Sequence, residues 1–178
     1  MQETILSFWF EELSPQQWFT KSDATDQKIA ARFSSIHHAA SQGECYQWRD
    51  QALGRLAEII VLDQFSRNIY RDHPSAFASD AMALALAQEA VWLGVDQDVS
   101  VQQRAFFYMP YMHSESPLIH QQAMQLFNQP GMENNLAFEI RHKEIIDRFG
   151  RYPHRNAILG RISSQQEEAF LSQPNASF

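Results

Sequence analysis

Apolar side chains recur along this chain at three- and four-residue intervals, and Ser, Pro and Gly break the intervals where one helix gives way to the next. Ile5, Phe8, Trp9 and Leu13 fall near helical spacing over Thr4 to Leu13. Ser14-Pro15-Gln16-Gln17 then has the form of a helix start, with Ser at the N-cap, Pro at N1 and Gln at N3. Asp23 to Ser41 carries Ile29, Phe33, Ile36 and Ala40 on one face and ends before Gly43; Gly43 to Asp50 is a loop anchored by Tyr46 and Trp48. Gln51 to Tyr70 is the most hydrophobic stretch. Its Leu53, Leu56, Ile60, Leu62, Phe65 and Ile69 cover more than one face, which predicts a central helix.

Residues 71–75 break that helix, and an alanine-rich one follows from Ala76 to Leu93, stopped by Gly94. Ser100 and Gln103 form a second capping box, which opens one or two aromatic-rich turns, Arg104 to Met109, that Pro110 should interrupt. Ser116-Pro117 restarts a helix through Asn128. Pro130-Gly131 turns the chain into Glu133 to Phe149, where Phe138, His142, Ile145 and Phe149 share a face and Gly150 closes the helix. Ser164 and Glu167 cap a last short helix, beyond which the final residues should be loose. No alternating β-branched run occurs. The pattern predicts an all-α fold, an antiparallel array of about seven to nine helices forming one domain over residues 1–178. No repeat of roughly 34 residues with the W-x2-L-G-x2-Y pattern is present.

Composition narrows the function classes. With 44% hydrophobic residues the chain can bury a sizeable core, and a net charge of -7 argues against general adhesion to nucleic acid or an anionic membrane. Cys45 stands alone, no secretory signal precedes it, and no apolar run is long enough to span a bilayer, so the cytoplasm is the expected compartment. Neither phosphate-loop pattern nor a G-x-S-x-G elbow occurs, and no cofactor or metal is expected. Against this acidic background Arg141, Lys143, Arg148, Arg151, Arg155 and Arg161 face only Glu144 and Asp147, a local charge of +4.

Three constellations could carry chemistry. Asp63, Arg67 and Arg71 lie at i, i+4 and i+8, beside a second polar row of Gln64 and Asn68; they form either donors aimed into a pocket or an intrahelical ion ladder. His113-Ser114-Glu115 sits where a loop should enter a helix. His113 and Glu115 with His154 could make an acid/base or metal-binding trio, or Ser114 and Glu115 could simply cap. Arg151-Tyr152-Pro153-His154-Arg155-Asn156 leaves its helix as a loop, because Pro153 pushes Tyr152 toward extended geometry. Its arginine forks suit a carboxylate or phosphate; the alternative is a structural clasp onto Asp63, Asp80 or Asp147. His142, on an apolar face, is expected to be a satisfied core histidine.

Three stretches together, L-D-Q-F-S-R-N-I-Y-R at 62–71, F-Y-M-P-Y-M-H-S-E at 107–115 and R-F-G-R-Y-P-H-R-N-A-I-L-G-R at 148–161, resemble the bacterial family known as domain of unknown function 924. The resemblance spans nearly the whole chain and implies a tetratricopeptide-like helical superhelix, without an activity. Ser66 stands where the family usually has proline, so the helix through Phe65 is expected to run straighter; Tyr152 in place of phenylalanine is a mild change.

The residues favour a binding module whose pocket, built from Asp63, Arg67, Asn68, Arg71, Arg104, His113, Glu115, Arg151, His154, Arg155 and Asn156, holds a small anionic ligand or the acidic end of a peptide. A second reading is an enzyme with His154 or His113 as general acid/base. A third is a structural interaction module using the rings of Phe8, Trp9, Trp18 and Phe19.

Overall fold

The computed structural model describes residues 1–174, so the looseness expected at the very end of the chain concerns residues outside those described. Among the described residues every regular element is helical. The helices are α1 (Gln2–Ser7), α2 (Pro15–Phe19), α3 (Asp23–Ser41), α4 (Ala52–Ile60), α5 (Ser66–Ile69), α6 (Asp80–Leu93), α7 (Val101–Met112), α8 (Pro117–Phe127), α9 (Glu133–Phe149) and α10 (Gln165–Leu171). The fold is all-α, and α6, α7 and α8 each pack on the helix that follows in chain order. Capping chemistry sets the boundaries: capping boxes form at Ser14, Ser100 and Ser164, and Gly94 and Gly150 end α6 and α9 in the left-handed conformation at φ 72° and 68°.

Three expectations about the helices change. The stretch from Gln51 to Tyr70, expected as one helix, is divided: Val61–Phe65 is a wider π-helical turn between α4 and α5, and Phe8–Glu12 is another after α1. Ser66 fits the tighter turn that follows by donating its hydroxyl to the Leu62 carbonyl at 2.5 Å. Pro110, expected to interrupt its helix, lies inside α7, where the unbroken burial of Ala105 to Met112 outweighs the lost hydrogen bond. The aromatic surface is dismantled, since Phe8 and Trp9 are each 1% exposed and belong to the core.

That core is one cluster running from Ile5 to Met132, centred on α4, the π turn and α7. A smaller cluster of Ile145, Ile146 and Tyr152, with Phe149 and Phe170 against it, lies under α9 and α10. Six of the functional candidates, Arg67, Asn68, Arg71, His113, His154 and Arg155, gather at the seam between the two.

Candidate functional site

A cavity of about 780 Å³ opens at that seam, with Trp18, Met109 and Met112 contributed from the large cluster and Ile145, Tyr152 and Phe170 from the small one. Of the residues expected to form a pocket, Arg67, Asn68, Arg71, His113, His154 and Arg155 line it. The π turn brings them together from below. It places Asp63 in the interior, 1% exposed, where one carboxylate oxygen accepts from His113 Nδ1 at 2.7 Å and contacts Arg67 at 3.1 Å. Gln64 donates to the other oxygen at 2.6 Å. Arg67 then reaches across to Asp80 with both terminal nitrogens, at 2.9 and 3.0 Å. Arg71 and Asn68 both converge on Asp26, 45 and 42 residues away in sequence.

The loop after α9 supplies the opposite wall. Arg155 is 6% exposed and sandwiched between Phe77 and Tyr152, its guanidinium 4.6 Å from each ring centre. One nitrogen meets Asp80 at 3.4 Å and another donates to the His113 carbonyl at 3.0 Å. Its Nε–H is buried with no hydrogen-bond partner.

The remaining candidates are a clasp rather than a pocket. Glu115 accepts from Arg161 at 2.6 and 2.9 Å and from the Tyr152 amide at 2.7 Å. Arg151 grips Glu167 at 2.7 and 2.9 Å, and buried Asn156 bridges Ser163, Glu167 and Arg161. Glu115 lines only a second cleft of about 430 Å³ that shares Phe77, His113 and Arg155 with the first. Arg104 is elsewhere. It sits one turn into α7 and pins the 96–99 turn through its carbonyls, with Gln129 at 2.9 Å. With His113 on Asp63 and Glu115 on Arg161, the proposed trio with His154 is not assembled; no group of three metal-binding side chains occurs among the described residues.

The charge states follow from these contacts. Burial would raise Asp63, but Arg67 and His113 outweigh it and hold the carboxyl well below its usual range. Burial, then the Arg67 charge, lowers His113 despite Asp63, and burial followed by Arg155 lowers His154 to about 4. His142, whose Nδ1 bonds the Phe138 carbonyl at 2.8 Å, is lowered by burial to about 3 and also faces the cavity. These imidazoles are therefore neutral at neutral pH. Ionised Asp63 can only accept, so the His113 proton sits on Nδ1 and leaves Nε2 with its lone pair. Among the described residues that nitrogen makes no hydrogen bond.

The arginines divide just as clearly. Asp26 raises Arg71, Glu167 raises Arg151, and for Arg67 the attraction of Asp63 and Asp80 exceeds the burial penalty. Arg155 shifts the other way: burial, then repulsion from Arg67, lowers it, because shared Asp80 compensates it only in part.

Sequence reasoning did not find Asp26, or the apolar wall of Phe77, Met109 and Met112. The three-residue spacing of the two methionines was the available signal, and it is equally the signal of core packing. It also left His120 without a partner; that ring is fully buried between Glu139 at 2.7 Å and the Tyr152 hydroxyl at 3.2 Å.

Among curated proteins none matches this chain. A solved structure of a protein of unknown function from Agrobacterium tumefaciens is 38% identical, with a TM-score of 0.92 over 97% of each chain. A family model described as "Bacterial protein of unknown function (DUF924)" matches residues 5–175, and the chain thus belongs to that family.

Proposed function

We propose that this protein is a binding module whose seam cavity holds a small anionic ligand, the acidic end of a peptide being one form of it. The observation that carries this reading is Arg155: a buried guanidinium on the cavity wall, with an unpartnered Nε–H and a single, shared carboxylate at 3.4 Å. A buried donor left unmade costs roughly 1–3 kcal/mol, more when charged, and an arriving anion removes that cost. The cavity is of the size that takes a metabolite, and its exposed wall is more apolar than polar although polar and charged side chains converge on it. Placement in the cytoplasm belongs to the same reading, supported by a free, buried Cys45 and by the lack, among described residues, of a helix able to cross a membrane.

The test is thermal melting of wild type and Arg155→Met with acetate, succinate, phosphate and 3-phenylpropionate. At least one anion should raise the wild-type midpoint and none the variant's, with helical circular dichroism unchanged. A ligand response that survives in the variant would refute the reading.

The Asp63–His113 pair favours a second reading, an enzyme. A neutral imidazole held in one tautomer by a buried carboxylate, with its other nitrogen available to a ligand, is arranged as a general base. His113→Gln should then abolish turnover of a cavity ligand while leaving its affinity within a few fold.

A further inference from the structure

We infer that the ligand of this cavity is an apolar monocarboxylate of roughly aryl-propionate size, not a phosphate or a dicarboxylate. The inference rests on the anion-binding reading above and names the chemical class that the cavity selects.

Charge balance sets the number of negative charges. Arg67 is matched by Asp63 and Asp80, and Arg71 by Asp26. Among the buried arginines on the cavity wall in the described residues, Arg155 alone remains short of a counter-charge; Arg141, which also lines the cavity without an ion pair, is exposed at its rim, so one buried ligand charge completes the balance. A second charge at that depth would be buried beside Asp63 and Asp80, away from Arg141 at the solvent-exposed rim. The histidines do not help a dianion, because neutral His113 offers a lone pair at Nε2 where an anion needs a donor. The amide nitrogens of Gln64 and Asn68 each give one N–H to Asp63 and Asp26, and the second N–H of each carries no charge with which to neutralise a dianion.

The walls specify the remainder of the molecule. Met109, Met112 and Ile145 are buried apolar side chains on the cavity surface. The Trp18 indole N–H is given to the Trp9 carbonyl at 2.7 Å and the Tyr152 hydroxyl to the Met112 carbonyl at 2.6 Å. Both rings therefore present apolar surface, since their polar ends are satisfied elsewhere. A ligand that brought only a charged head would leave most of this wall facing water.

The experiment is titration of the whole protein, read by Trp18 fluorescence and calorimetry, with 3-phenylpropionate, 3-phenylpropanol, propionate, phenyl phosphate and inorganic phosphate. 3-Phenylpropionate should bind at least about tenfold tighter than each of the others, because removing either the charge or the ring discards one half of the match. Phe138→Asp places a like charge on a half-exposed cavity position, with little risk to folding. It should weaken 3-phenylpropionate about tenfold and 3-phenylpropanol little. Equal binding of the acid and the alcohol would overturn the inference. Stronger binding of either phosphate would overturn the monocarboxylate class while leaving an anion site standing. If no probe binds wild type, the anion-binding reading falls with it.

Discussion

Lowering the pH from 8 to 5 should destabilise this protein by about 4 kcal/mol through His142 and His154 alone. Both rings are held neutral by the fold, at about 3 and about 4 respectively. Burial is the first cause in each; Arg155 adds to it for His154, while the Phe138 carbonyl opposes it for His142. In the unfolded chain both return to about 6.5. A depressed folded value means that the unfolded state takes up protons first. The stabilisation is complete above the unfolded pKa and is lost as pH falls below it. At pH 5 the unfolded rings are almost fully protonated and the folded ones are not, a difference of about 2 kcal/mol for each. His113 and His37 shift the same way and add to the loss, while Glu139, raised chiefly by burial, opposes it. The window also separates histidines from acids: Asp63, Glu115 and Glu167 have depressed values, so their contributions fade only at lower pH. Urea unfolding at pH 8, 7, 6 and 5 measures the effect, with a limiting slope near two protons and a fall in melting midpoint of about 10 °C. His142→Gln should remove about half of it. A stability change below about 1 kcal/mol across the range would show that these rings reach water in the folded state and that the cavity wall is wrongly described.

Two further outcomes test the packing around the site. Gly54→Ala, which by helix propensity alone should stabilise α4 by about 1 kcal/mol, should instead destabilise the protein by about 2 kcal/mol in chemical denaturation. The added Cβ would lie 2.0 Å from the Trp48 carbonyl oxygen, where backbone must move. Glu167→Gln removes the charge that holds Arg151 and Asn156, and should speed hydrogen exchange across 151–171 and weaken ligand binding. Exchange confined to wild-type rates in that segment would mean that the clasp does not position Arg155.

The helices were legible because their signals are local. Asp23–Ser41 and Glu133–Phe149 follow from periodicity plus a terminal cap, and three capping boxes form where Ser and Gln or Glu stand three apart. What escaped depends on tertiary packing. Nothing in V-L-D-Q-F announces a π turn, yet that turn lets Asp63 meet both His113 and Arg67. Pro110 breaks helices by a local rule that eight consecutive buried residues override. The site was half legible for the same reason. Counting charges between 141 and 161 found a real concentration of cations, but apart from Asp147 on Lys143 the counter-ions lie outside the segment, some of them far off: Glu115 is 46 residues from Arg161, and Asp80 is 75 from Arg155. Local excess charge is thus no measure of charge in the fold.

That distance between count and fold is also what isolates Arg155. The chain carries 21 acidic residues against 14 basic ones, so carboxylates are not scarce, and the fold spends them freely on arginines far more exposed than this one. Arg32 at the surface has Glu12 in a two-point grip, and Arg49 has buried Glu58. Arg155, more deeply buried than either, shares Asp80 with a second guanidinium that repels it. Burying a cation is tolerable only where partners surround it, and the stacking of Phe77 and Tyr152 satisfies its faces but not its edge. A folded-state role alone would be met better by one more carboxylate or by an apolar side chain of similar length. An unfinished shell of partners beside an open cavity is instead the arrangement of a group whose last partner arrives from outside.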